Sequence, residues 1–213
     1  MQGSSGDLEE LERTLGDRSP DIMVVLEPPA DWVTKVTSGT VGFRVHANPG
    51  SHLPRVLALA ATKVTSVSFP DGHHLPGSSL AFDVVLDGLL IRVLAVHVQA
   101  PTRPGRRNVR DAELRAVGDW ARRHSGPEIV LGDLNATLWS SSIERLEDEA
   151  DPRNSADGFG VQPTWPALAG PVGIPIDHLV HSRDLTVTDR VTGPSFGSAH
   201  RSLWVTIARA APG

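Results

Sequence analysis

The chain has 213 residues, 39% of them hydrophobic and 21% charged, with a net charge of −5. That length suits one domain with a substantial core, and no apolar stretch reaches the roughly 18 to 20 residues of a membrane-spanning helix. With no Cys and no Tyr, disulfides, thiolate metal sites and tyrosine chemistry are excluded, and the negative charge leaves only local surfaces for phosphate or nucleic acid.

Leu8, Leu11 and Leu15 recur at spacings of three and four, which predicts a short amphipathic helix over residues 7–18 with Asp7 as N-cap and Pro20 beyond its end. The nearly continuous apolar run of residues 22–26 reads as a strand covered on both faces, and it delivers Glu27 at its end before two prolines. The middle third alternates β-rich runs with turn residues, predicting strands over 41–46, 55–62, 64–69 and 80–86. Asp87-Gly88 joins the last of these to an apolar run over 89–96 that stops at His97. This is a hairpin signal, because a type I′ turn needs positive φ at both central positions. The spacing of Val109, Ala112, Val117, Trp120 and Ala121 predicts a helix over 108–124, and a second short helix is expected over 140–149. Three further strands are expected over 176–181, 185–191 and 203–208, after an irregular Gly/Pro-rich region. With no repeat, low-complexity run or long linker, residues 1–213 read as a single α/β (α+β) domain of two packed sheets covered by helices.

The run Ile129-Val130-Leu131 breaks at Gly132 and is followed by Asp133-Leu134-Asn135. Side chains alternate along an extended chain, so Asp133 and Asn135 point to one side, where an acid and an amide can hold and deprotonate a water. The same pair also suits an ordinary turn in which both side chains hydrogen-bond the nearby backbone. Glu27, His97 and Asp177 likewise close strands, and His200 lies just ahead of one; each alone also reads as a cap, a surface histidine or an edge charge. Jointly they mark a rim, because stacked sheets bring their strand ends together.

Five segments in order, Val25-Leu26-Glu27, Ala95-Val96-His97, Gly132-Asp133-Leu134-Asn135, Pro175-Ile176-Asp177-His178 and Gly197-Ser198-Ala199-His200-Arg201, resemble the motifs of the endonuclease/exonuclease/phosphatase family of metal-dependent phosphoesterases. The likeness spans nearly the whole chain, and Pro163-Thr164-Trp165 is similar to a bacterial branch whose members often carry membrane segments ahead of this domain. The resemblance implies a four-layer α/β/β/α sandwich of two mixed sheets flanked by helices, with a Mg2+ (or Mn2+) site at one rim. It implies that Glu27 is a metal ligand, that Asp133 orients or deprotonates the attacking water, and that Asn135 holds substrate and that aspartate. His97 and His200 would hydrogen-bond the phosphoryl oxygens, Asp177 would pair with His200, and His178 would be structural.

Two departures accompany the likeness. The family's closing Ser-Asp-His is Ser198-Ala199-His200 here, which removes a negative charge from where a dication binds. The family's first strand, which ends in a site Asn, has no counterpart ahead of Glu27, so the domain is expected to lack that N-terminal strand and Met1 to be internal to a longer protein. On that expectation the natural protein is membrane-anchored or extracytoplasmic, whereas with Met1 as the true start it is cytoplasmic. No basic stretch followed by an apolar one, the mark of a signal peptide, appears at the N-terminus.

Beyond His97, Arg103, Arg106, Arg107 and Arg110 place four arginines in eight residues, suited to bidentate phosphate contacts, although a solvated basic loop fits as well. The expected function is Mg2+-dependent hydrolysis of a phosphoester, as a phosphodiesterase, nuclease or phosphatase, by an activated water. The alternative is an impaired relative that binds phosphorylated ligands without turnover, favoured by Ala199 and the absent Asn. The expected partners are phosphate-containing substrates: nucleic acid, nucleotide or another phosphoester. No aromatic residue is interleaved among the arginines, so tight sequence-specific DNA binding is not expected. A phospholipid headgroup is disfavoured, since no segment with exposed aromatic and apolar residues is apparent.

Overall fold

The computed structural model describes residues 5–37, 43–47, 56–61, 66–68, 75–76, 78–123, 125–150 and 152–211. The expected strand positions 41–42, 55, 62, 64–65 and 69, and the expected helix position 124, lie outside the described residues. α1 (Ser5–Arg18) buries Leu8, Leu11 and Leu15, as their spacing predicts. β1 (Ile22–Leu26) follows, and then α2 (Ala30–Thr37), a helix not expected from the sequence although Pro28-Pro29 ahead of it is a start signal. β2 (Phe43–Ala47), β3 (Val56–Ala61) and β4 (Ser66–Ser68) lead to the hairpin of β5 (Ser79–Leu86) and β6 (Leu89–His97). That hairpin turns through Asp87 at φ 50° and Gly88 at φ 78°, the two positive values its sequence requires. α3 (Arg106–Arg122) then crosses to β7 (Glu128–Asp133), followed by α4 (Ser141–Ala150) and a short β8 (Arg153–Asn154). β9 (Asp177–His181), β10 (Leu185–Thr192) and β11 (Leu203–Arg209) complete the order.

The larger sheet has the order β4-β5-β6-β7-β9-β8 and is mixed: β6 and β7 are parallel, joined through α3 as a parallel pair requires, and the other pairs are antiparallel. Val93, Leu94, Ala95 and Val96 in β6 are fully buried, which explains why that strand reads as a continuous apolar run. Leu94, Val96 and Val130 pack with Leu114, Val117 and Ile143 beneath α3 and α4. Val93, Ala95, Ile129 and Leu179 face the second layer. On the far side of that layer, Trp32 and the α1 leucines form a third cluster with Phe196, Met23 and Trp204.

The α/β sandwich expected from the sequence is therefore present, with one difference in the second layer. Instead of one mixed sheet, that layer comprises two antiparallel pieces among the described residues, β1-β3-β2 and β10-β11. Among the described residues β1 pairs with β3 alone and β11 with β10 alone, so the two pieces stand apart. No helix among the described residues is long and apolar enough to cross a membrane.

Candidate active site

Sheet register assembles the rim. His97 at the end of β6 is aligned with Asp133 at the end of β7, and Asp133 with Asp177 at the start of β9. Three side chains far apart in sequence thus stand in a row across adjacent strands, about 4.8 Å apart in the pairing direction. Gly132 makes the alignment of β6 and β7 feasible: at φ 141°, an added Cβ would lie 1.9 Å from the Val96 carbonyl oxygen. Glu27 follows the last residue of β1, and His200 reaches the rim from the loop ahead of β11. Glu27 at φ 48° and Asn135 at φ 47° both have left-handed backbones, a strain that concentrates where a structure must aim a side chain.

Asp133 is the centre of the arrangement. Its Oδ1 accepts the Asn135 backbone N–H at 2.9 Å, while its Oδ2 lies 3.6 Å from His97 Nε2 and 3.8 Å from His200 Nε2. The other face of His97 meets Glu27, with Nδ1 3.5 Å from Oε1. His200 donates from Nδ1 to Asp177 Oδ2 at 2.8 Å, which leaves Nε2 directed toward Asp133. Asn135, which lines the same cavity, donates its amide to the Val98 carbonyl at 2.9 Å, tying the β7 end to the β6 end.

Burial first, and then the neighbouring charges of Asp177 and Glu27, push the Asp133 carboxyl up to about 7 against the lowering effect of the Asn135 N–H and His200. For His200, burial disfavours the charged ring, but the hydrogen bond and charge of Asp177, together with Asp133, carry its pKa above the ordinary histidine value. His178, adjacent to Asp177 in sequence, is buried and its pKa is held down by that burial; its neutral ring bonds the Ala136 carbonyl at 2.7 Å through Nε2. Thr164 was not singled out in the sequence for a role, yet it is fully buried and its Oγ1 accepts the N–H groups of Ile176 and Asp177, each at 3.2 Å. The signal for it lay in Pro163-Thr164-Trp165, where a threonine precedes the strand it anchors.

A model of the Endonuclease/Exonuclease/phosphatase family matches residues 1–200. The chain belongs to that family. Among solved structures, D. rerio TDP2 complexed with a single-strand DNA product is 13% identical over 95% of this chain and 91% of its own, with a TM-score of 0.75. The human Nocturnin catalytic domain with a bound sulfate is 15% identical over 97% and 88%, with a TM-score of 0.71. An endonuclease/exonuclease/phosphatase from Beutenbergia cavernae is 20% identical over 94% and 65%, with a TM-score of 0.64. The comparison with curated proteins gives no match.

Members of this family generally depend on a divalent metal, and the donors at the rim suit one. Ligand atoms of Asp133, Asp177 and His200 all lie within 4.8 Å of one another, and oxygen-rich sites of this kind favour hard cations. Burial first, and then the neighbouring carboxylates, disfavour the charged Asp133 carboxylate, and a bound cation would counter both. Glu27 stands outside that trio, beyond His97. Ala199, where the family motif has an acid, contributes its carbonyl to the Ala167 N–H at 2.7 Å and no charge.

The arginines divide. Arg110 is buried, with Nε and Nη2 on Asp111 Oδ1 and Nη1 on the Asn135 carbonyl at 3.2 Å, so it positions the β7 end and does not offer a surface phosphate contact. Arg106 opens α3 and donates to Gln99 Oε1 at 2.7 Å, while Arg103 and Arg107 are exposed. The cavity that holds the rim residues is lined as far as Thr102 and stops one residue short of Arg103. The segment after Thr164 corrects another expectation: Trp165, Leu168, Val172 and Ile174 are all exposed large apolar side chains. Their apolar character was hidden in the sequence by the interspersed Gly and Pro residues. Trp165 and Ile174 bridge to each other and line the same cavity as Asp133 and His200.

Proposed function

We propose that the protein is a Mg2+-dependent phosphoesterase acting by attack of an activated water. The observation that carries this reading is the convergence on Asp133 Oδ2 of two histidine Nε2 atoms at 3.6 and 3.8 Å, one of them backed by Asp177. Asp133, with a pKa near 7, is matched to accept a proton from water at neutral pH. His97 and His200 donate toward phosphoryl oxygens as negative charge builds on them, and the Asp177 bond favours the charged form of the His200 ring and aims it. Asn135 and Arg110 hold the strand end so that the acid does not swing away. Glu27 would hold the cation, which when bound supplies charge stabilisation to the phosphoryl group, while Asp133 remains the proton acceptor.

The uncharged rim of Trp165 and Ile174 favours a phosphoester that carries a flat or apolar portion beside the phosphate. Arg103 and Arg107 are the proposed outer contacts for further phosphates. A second reading, binding without turnover, is favoured by one observation: the neutral Ala199 at the motif position of an acid.

The test is Mg2+-dependent hydrolysis of bis-p-nitrophenyl phosphate by this chain beside Asp133→Asn. A loss of about 10²- to 10⁴-fold in the variant supports the enzyme reading. Equal rates in both overturn it, and phosphate binding without turnover establishes the second reading. If the rim selects apolar esters, Trp165→Ala raises KM for this aryl substrate about three- to tenfold while leaving that for a small alkyl phosphodiester unchanged.

A further inference from the structure

The segment that leads into β9 carries the two most exposed large apolar side chains among the described residues. Leu168 is 102% exposed and Val172 84%, while Trp165 and Ile174 stand at the base of the same turn, less exposed and lining the rim cavity. No charged residue occurs from Pro163 to Ile176. Single exposed apolar residues are ordinary on a protein surface, but four on one uncharged turn beside a site form a continuous apolar projection.

Backbone hydrogen bonds hold that projection in place. Trp165 and Ile174 exchange N–H to carbonyl bonds at 3.0 and 2.6 Å, closing a neck beneath the turn. Beyond the neck, the Ala169 N–H bonds the Pro166 carbonyl and the Gly173 N–H bonds the Gly170 carbonyl. Two more bonds fasten the segment to the loop that carries His200: the Ala167 N–H to the Ala199 carbonyl at 2.7 Å, and the Arg201 N–H to the Thr164 carbonyl at 2.8 Å. Leu168 and Val172 are thus kept in water by an ordered turn, and a partner that covers them gains the burial without first ordering a loop.

Backbone, size and charge select the partner. Pro163, Pro166, Pro171 and Pro175 have no N–H, and the bonds above occupy those of Trp165, Ala167, Ala169, Gly173 and Ile174. Few donors remain to be desolvated, as contact with hydrocarbon demands, whereas an added peptide strand would need those donors free. The exposed surface of the four side chains is on the order of 500 Å², short of the roughly 800 Å² per partner of a stable protein interface. An indole at the base of an aliphatic tip suits the boundary between water and lipid, where the ring lies at headgroup level and the aliphatic groups reach the acyl chains. The tip is neutral and the chain carries a net charge of −5, which disfavours an anionic surface. One cation lies beside it: a shallow cavity of about 430 Å³ next to Leu168 has Arg201 as its only charged lining residue, and Arg201 also lines the rim cavity. A guanidinium in that place suits a headgroup phosphate.

We propose that residues 163–176 are a docking tip for a zwitterionic lipid surface, with Leu168 and Val172 entering the acyl boundary, Trp165 at headgroup level and Arg201 on a headgroup phosphate. On the phosphoesterase reading, docking holds the Asp133 rim at the level of those phosphates; docking itself needs no turnover.

The experiment is flotation of the whole chain with phosphatidylcholine vesicles, together with quenching of tryptophan emission by brominated phosphatidylcholine. The expected result is flotation with quenching, and loss of the quenching in Trp165→Phe. Leu168→Asp combined with Val172→Asp lowers vesicle affinity at least tenfold, while Leu168→Phe retains it. Both positions are exposed, so the urea midpoints of these variants stay at the parent value. No flotation of the parent overturns the proposal, and so does equal flotation of the parent and the double variant. Stronger flotation with phosphatidylglycerol vesicles would assign the binding to charge and overturn the zwitterionic surface. Self-association of the parent, abolished in the double variant and unaccompanied by flotation, would give the tip to a second copy and overturn it too. Asp133→Asn floats as the parent does, so the docking tip and the phosphoesterase reading fail separately.

Discussion

The two β layers solve the same packing problem to different degrees. In the larger sheet, β6 and β7 are bonded on both edges and covered on both faces, and residues 93–96 have no exposed surface. In the second layer, β1 and β11 also carry apolar residues but have one bonded edge each among the described residues, and most of their residues are half-buried or exposed. The difference teaches that strand sequence sets what a strand can bury, while its neighbours set what it does bury. It also separates the candidate site into two supports. His97, Asp133 and Asp177 stand on the closed sheet, whereas Glu27 and His200 adjoin the split one.

The most damaging way to break the closed sheet is Gly132→Ala. Its methyl would meet the Val96 carbonyl oxygen at 1.9 Å and strand pairing allows neither partner to retreat, so a loss of about 4 kcal/mol or more is expected in urea unfolding. A smaller contrast sharpens the comparison directly. Leu94→Ala in β6 is expected to cost about 3–4 kcal/mol, and Ile207→Ala in β11 about 1 kcal/mol, because the second site has less contact to lose. Equal costs at the two positions would show that the second layer is as tightly packed as the first.

Much of the fold could be read from the chain. Strands with continuous apolar runs, such as 22–26 and 89–96, and the α1 leucine stripe were legible because burial on both faces or on one helical face leaves a period in the sequence. α2 was not, since its eight residues are too few for a periodic pattern and its start signal is two prolines that also suit a loop. Of the candidate site residues, Glu27, His97, Asp133, Asp177 and His200 line one cavity, as strand-end placement suggests. Arg110 shows the limit of that reasoning: an arginine in a basic loop and an arginine buried under a strand end look alike until the helix phase places it. Thr164 and the exposed apolar rim were hidden for the same reason, since loop conformation carries no period.

Opposite ends of β7 provide the finest test. Glu128 at its start and Asp133 at its end are both buried acids pushed up to about 7, Glu128 by burial first, with Arg92 opposing and Asp184 adding to the rise. Only Asp133 has histidines across from it, and one Glu128 oxygen has no hydrogen-bond partner among the described residues. A carboxyl whose folded pKa lies above its unfolded value binds more protons folded than unfolded, so stability is highest below the unfolded pKa and declines as pH rises from about 4.5 through 7. Glu128→Gln removes that decline: it should match the parent at pH 4 and exceed it at pH 8 by about 1–2 kcal/mol after allowance for solvent screening. Its hydrolytic rate should remain that of the parent, unlike Asp133→Asn. Thermal unfolding across pH 4–8 with rates measured alongside checks both, and a Glu128→Gln variant that loses activity would mean that the far end of β7 supports the rim after all.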